Sequence, residues 1–246
     1  VTMSATRPQP AATATTALVD LPRGTGRPPF TAVLWDLDGT IVDSAPGIIS
    51  SIQKMLAVLG LEVPPYDDLV SYIGPPILDS FREHGLGEIV ELEYALGVYR
   101  DIYREEGEAN SRVYPGMADV IRAVHDAGIP MSTATSKNQE SAARVLEHFG
   151  LHRSFDAVVG ATPDDSRSAK ADVVAEALRV LETQGHDLSN VIMLGDRFYD
   201  VEGSSQHGVP CVYVTWGYGT VGEEAGSVAV VDDPARLPGL LGLEPA

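Results

Sequence analysis

The sequence predicts an α/β fold, a parallel-sheet core carrying one inserted helical cap. Two observations predict the core. From Phe30 onward, short apolar runs alternate with stretches of helical period, the pattern of a parallel sheet covered on both faces. Several of those runs end in carboxylates, hydroxyls or a lysine, and ligands of such sheets sit beyond the carboxyl ends of the strands. The cap follows from a third observation. Between Ser44 and about Val113 the alternation stops, and only helical periods without a convincing strand are found.

The elements follow in order. Residues 1–29 are rich in Ala, Thr and Pro, lack apolar periodicity, and read as a disordered tail. Thr31–Trp35 is the first strand. "SAPGIISSIQKMLAVLG" opens the cap, with Ser44 as the capping residue. Ile48, Ile49, Ile52, Met55, Leu56 and Leu59 lie on one face, and Gly60 is the stop. "LEYALGVYRDIYREEG" repeats the pattern with Leu92, Ala95, Leu96, Tyr99, Ile102 and Tyr103. The core resumes at residue 114, so it comprises residues 30–44 and 114–246 around a cap of residues 45–113. Helices are predicted over Gly116–Ala127, Asn138–Phe149 and Ala169–Leu181. Further strands are predicted at Pro130–Ala134, Asp156–Gly160, Val191–Leu194, Cys211–Thr215 and Val228–Val231.

Composition narrows the function. The chain has 246 residues, is 44% hydrophobic and carries a net charge of -18. Such a balance argues against a nucleic-acid polymer or an anionic membrane as partner. No apolar run approaches the roughly 20 residues that span a bilayer. The single cysteine, Cys211, excludes an internal disulfide and points to a reducing compartment, the cytoplasm.

The chemistry gathers at one edge of the predicted sheet. After the first strand come Asp36, Asp38 and Gly39. Thr135, Ser136 and Lys137 follow the second, Lys170 opens a later helix, and "VIMLGDRFYD" ends in Asp196 and Asp200. Four carboxylates brought together are too acidic to stay bare, and a hard cation such as Mg²⁺ is what oxygen donors of this kind hold. Thr135 offers a hydroxyl and Lys170 a fixed positive charge to the oxygens of a phosphoryl group. One aspartate can then attack phosphorus while the other moves protons.

"DLDGT", "ATSK", a lysine heading a helix, and "GDRFYD", in that order, resemble the haloacid dehalogenase-like superfamily of phosphohydrolases. The resemblance covers about residues 30–240. Within it, "YIGPP", "DDSRSAKADVV", "MLGDRFYDVEGSSQHGV" and "WGYG" resemble the phosphoglycolate phosphatase group and its 5'-nucleotidase branch. This likeness implies a Rossmann-like core and a phosphatase of a small phosphorylated metabolite, such as phosphoglycolate or a nucleoside 5'-monophosphate. Asp36 would be the nucleophile and Asp38 the general acid and base. Mg²⁺ would be held by Asp36, the main-chain carbonyl of Asp38 and Asp196, with Asp200 in support. Thr135, Ser136 and Lys170 would hold the phosphoryl group. One departure concerns "TPDDS" before Arg167, where the family pattern has a glycine-bearing turn.

Simpler roles are expected for other residues. Lys137 and Arg197 read as solvated surface charges, the six histidines as surface or helix-end residues, and Cys211 as core. Asp200 is as readily a helix cap as a supporting ligand. Gly74-Pro75-Pro76 is either a helix breaker or a segment facing the site. Rival functions are a sugar phosphomutase of the same architecture, a dehalogenase, which Asp38 disfavours, and a non-catalytic binding protein.

Overall fold

The computed structural model describes residues 29–243, so the predicted tail lies outside the described residues, Pro29 excepted. Five parallel strands form the main sheet: β1 (Ala32–Trp35), β4 (Met131–Thr133), β7 (Val191–Gly195), β8 (Cys211–Val214) and β9 (Ala229–Val231). Their spatial order is β4-β1-β7-β8-β9, and the predicted fold class is borne out. β1 is flanked by β4 (Val33↔Met131 to Trp35↔Thr133) and by β7 (Ala32↔Val191 to Trp35↔Leu194).

A run of four apolar residues in β1 is explained by burial on both faces. Val33 and Trp35 join one core cluster with Val120 and Val124 of α5 (Met117–Asp126) and Val145 and Leu146 of α6 (Gln139–His148). Ala32 and Leu34 join another with Val174, Ala177 and Leu181 of α7 (Lys170–Thr183) and Val201 of α8 (Phe198–Ser205). Every side chain of β1 is fully buried. Full burial of a residue the size of Leu contributes about 1.5–3 kcal/mol, so the strand that carries the first motif is firmly anchored. A short helix, α9 (Leu237–Leu240), packs against α5.

The cap is built from α1 (Ala45–Val58), α2 (Tyr66–Leu69), α3 (Ile77–Glu83) and α4 (Leu92–Ile102), and it has a hydrophobic cluster of its own. α1 buries Ile48, Ile49, Ile52, Met55 and Leu56, the face its spacing predicts. Gly60, at φ 69°, takes the left-handed turn that ends it. α4 continues into a π-helical turn, Tyr103–Gly107.

Four expectations need correction. The cap is entered and left through an antiparallel ribbon, β2 (Val42–Asp43) against β3 (Arg112–Val113), so a strand does close the interval read as purely helical. Two-residue strands carry no periodic signal. Ser44 stands at the N-cap of α1, but its hydroxyl makes no capping bond. The hydroxyl of Tyr218 instead accepts from the N–H groups of Ser44 (2.7 Å) and Ala45 (2.9 Å). The run Asp156–Gly160 is mostly irregular. Ala157 forms a single bridge with Ser132, and the strand proper is β6 (Gly160–Ala161). β6 pairs with β5 (Thr135–Asn138), so the residues after the predicted strand Pro130–Ala134 form a strand of their own, which takes in Asn138, predicted as helix.

Candidate active site

The carboxyl ends of β1 and β7 place Asp36 and Asp196 side by side, and the first turns of α7 and α8 bring Lys170 and Asp200 against them. Carboxylate oxygens of Asp36, Asp196 and Asp200, all three buried, lie within 4.8 Å of one another. The Lys170 ammonium sits among them. It donates to Asp36 Oδ1 at 2.7 Å and to the carbonyl of Ala134 at 3.0 Å, and lies 2.7 Å from Asp200 Oδ1. Asp196 accepts from Thr40 Oγ1 (3.1 Å) and from the N–H of Tyr218 (2.7 Å).

Three carboxylates around one ammonium leave two negative charges uncompensated when all are ionised. Burial pushes Asp36 up to about 6, partly countered by Lys170 and reinforced by Asp200. Burial also raises Asp196 well above the usual carboxylate range, with Asp36 and Asp200 adding to the shift. Lys170 shows the complement. Burial alone would lower it, but Asp200 and Asp36 hold it above the ordinary lysine value. The donor set is hard, anionic and convergent, which fits a divalent cation. Glycines keep this corner free of side chains. A Cβ on Gly39, at φ 90°, or on Gly217 would collide with the Asp196 carboxylate.

Asp38 is treated differently. Its carboxylate turns away from the triad and accepts from Lys137 Nζ at 3.0 and 3.2 Å. The same ammonium donates to the Tyr103 hydroxyl at 2.7 Å and lies over that ring. Lys137 is therefore no surface charge; its side chain is 6% exposed and links the core to the cap's π-helical turn. Thr135 is buried and its Oγ1 accepts from the N–H of Lys137 at 3.3 Å. Ser136 lines the cavity beside it, together with Asp36 and Asp38.

Arg197 is also misread as surface. It pairs with Glu223 at 2.8 Å and donates to the carbonyl of cap residue Ile73. Asp200 takes the capping role and also belongs to the buried triad. Its Oδ2 accepts from the N–H of Arg197 at 3.0 Å, capping α8, while Oδ1 faces Lys170. Gly74 and Pro75 face the site, lining a cavity of about 250 Å³ with Asp36, Asp38 and Thr135. Pro75 and Pro76 line a second cavity of about 350 Å³ that opens on Ser136 and Lys170. Of the histidines, His84 stacks on Tyr72 at 3.8 Å within the cap. Cys211 is buried in the core.

Sequence reasoning missed Arg100, Asp165, Tyr99 and Tyr218. In the "TPDDS" departure, Asp165 takes the left-handed backbone (φ 54°) that a glycine would otherwise supply. Its carboxylate receives Arg100 of the cap.

Residues 33–214 match the family model described as haloacid dehalogenase-like hydrolase. The chain belongs to that family. This haloacid dehalogenase-like chain is 40% identical over 187 residues to the tyrosine-protein kinase PtkA of Mycobacterium tuberculosis, matching 76% of its own length and 62% of that protein. It thus spans less than two thirds of that relative. It is 34% identical over 192 residues to a 5'-nucleotidase of Pseudomonas aeruginosa, matching 78% of this chain and 85% of that one. Among solved structures, a predicted phosphatase from Clostridium acetobutylicum superposes with a TM-score of 0.78 at 34% identity. That alignment covers 87% of this chain and 99% of the other. Among the described residues, no helix is long and apolar enough to cross a membrane.

Proposed function

We propose that this chain is a Mg²⁺-dependent phosphomonoesterase that hydrolyses a small phosphorylated metabolite through an aspartyl-phosphate on Asp36. The observation that carries this reading is the separation of two neighbouring carboxylates. Asp36 lies in the buried triad beside Lys170, whereas Asp38 points to the cavity under Lys137. On this reading one attacks and the other handles protons.

Mg²⁺ would be held by the carboxylates of Asp36 and Asp196 and the main chain of Asp38, with Asp200 in support, and would supply positive charge to the transferring phosphoryl group. Thr135, Ser136 and Lys170 hold and neutralise the non-bridging oxygens. A carboxylate oxygen of Asp36 bonds to phosphorus as the ester P–O bond breaks, and Asp38 gives its proton to the leaving oxygen. Water then attacks phosphorus, the bond to Asp36 breaks, and the water's proton returns to Asp38. The cap, pinned through Arg197 and Tyr103, excludes bulk water during both steps.

The same reading places the enzyme in the cytoplasm, on its lone buried cysteine, and makes nucleic-acid polymers and membranes poor partners for a chain of charge -18. The test is inorganic phosphate release with Mg²⁺ and with EDTA, for the native chain and Asp36→Asn. Metal-dependent release that disappears in Asp36→Asn supports the proposal. An isomeric phosphate ester without free phosphate would favour a mutase. Label passing from ATP to a tyrosine would favour the activity in the mycobacterial relative's name.

A further inference from the structure

We infer that the cavity beside Asp38 selects a phosphomonoester whose leaving group is neutral and bears a ring and hydroxyls, and disfavours one carrying a second anionic group. This deepens the phosphatase reading and rests on it.

The first argument is the state of the cations. Four line the cavity, and each already has a carboxylate partner. Arg100 Nη2 lies 3.0 Å from both oxygens of Asp165. Lys137 is held by Asp38 at 3.0 and 3.2 Å. Arg144 forks onto Glu108 at 2.7 and 2.8 Å. Arg104 pairs with Asp101 at 2.9 Å on the exposed rim, where water screens its charge. Glu140 also lines the cavity. With Lys170 serving Asp36, Asp200 and the transferring phosphoryl group, no cation lining the cavity, among the described residues, lacks a carboxylate partner to offer a substrate carboxylate or second phosphate. Such a group would have to share an arginine with the carboxylate that already holds it, and would meet that carboxylate's negative charge.

The second argument is what the wall does offer. Ile48, Tyr72, Ile73 and Tyr99 give an apolar and aromatic surface to a ring. Tyr99 is 6% exposed, and its hydroxyl has no hydrogen-bond partner among the described residues. Burial pushes that phenol far up, so it stays protonated and can both donate to and accept from a neutral hydroxyl. A hydroxyl on a residue of the cavity wall, engaged by no other side chain, is free to bond a polar atom of a ligand.

The test compares kcat/KM in Mg²⁺ for a nucleoside 5'-monophosphate and phenyl phosphate with that for phosphoglycolate and a sugar bisphosphate. The neutral leaving groups are expected to lead by about tenfold or more. Asp165→Asn keeps a residue that tolerates the left-handed backbone while freeing Arg100, and should narrow that lead by about fivefold. Tyr99→Phe should lower kcat/KM for the nucleotide more than for phenyl phosphate, whose leaving group carries no further hydroxyl. A native preference for phosphoglycolate or the bisphosphate, or a lead that Asp165→Asn leaves unmoved, overturns the inference while the phosphatase stands. Silence on every ester overturns the phosphatase reading and this inference with it.

Discussion

Arg100 of the cap and Asp165 of the core are held together on the wall of the cavity. Nη2 lies 3.0 Å from each carboxylate oxygen, and Nη1 donates to the carbonyl of Pro163 at 2.9 Å. The two side chains are 32% and 17% exposed, which keeps part of the attraction from solvent screening. A double-mutant cycle with Arg100→Ala and Asp165→Asn should give a coupling of about 0.5–1.5 kcal/mol in urea unfolding. In the Arg100→Ala background, Asp165→Gly should stabilise by about 1 kcal/mol, because glycine takes φ 54° without a Cβ penalty. Zero coupling would make the contact incidental.

Removing Lys170 strips from a nest of buried carboxylates the ammonium that pairs with Asp36 and Asp200. Lys170→Met is expected to lose about 3–5 kcal/mol of stability at pH 8, measured by urea titration. The loss should shrink at pH 5 as the carboxyls protonate, and Mg²⁺ should restore part of it. A loss under about 1 kcal/mol would mean that water, rather than Lys170, compensates these charges.

Asp36 stands at about 6 against an ordinary 3.8. Between those values the folded chain holds a proton that the unfolded chain has released. Metal-free stability therefore falls as pH rises through this window and levels off above it for this group. A divalent cation competes with that proton, so Mg²⁺ should raise Tm more at pH 8 than at pH 5. Equal shifts at both pH values, read by calorimetry, would argue that the metal does not meet Asp36.

Much of this architecture is legible in the chain because burial leaves a mark on sequence. β1 and β7 are apolar throughout since helices cover both faces, and α1 shows its buried stripe. Asp36, Asp196 and Lys170 were readable because each sits just past a strand or at a helix start. The rest depends on partners distant in sequence. Nothing near Ser44 signals that a tyrosine 174 residues away will satisfy its amide. Tyr99 and Tyr103 satisfy the apolar period of α4, which hides their second life as cavity wall and as partner of Lys137. Lys137 and Arg197 look solvated because charge alone does not reveal a cap folded over it.

Tyr218 accepts two amide hydrogens at the start of α1 and donates to Asp43 at 3.0 Å. Tyr218→Phe leaves both amides short of a partner and should cost about 1–3 kcal/mol in thermal unfolding. Amide hydrogen exchange at Ser44 and Ala45 should quicken more than at Ile49. Unchanged exchange there would show that water replaces the hydroxyl at no cost.

The order of the sheet sets a burden on synthesis. β1 is the central strand of the site, but it precedes β4 by about a hundred residues and β7 by about a hundred and sixty. A ribosome delivering this chain from its amino end exposes Ala-Val-Leu-Trp long before either neighbour can pair with it, and the cap helices emerge in between. Pairing over such separations is slow, and an unpaired apolar strand is prone to capture by other chains. The residue proposed as the nucleophile, Asp36, is thus attached to a segment that must wait long for its place.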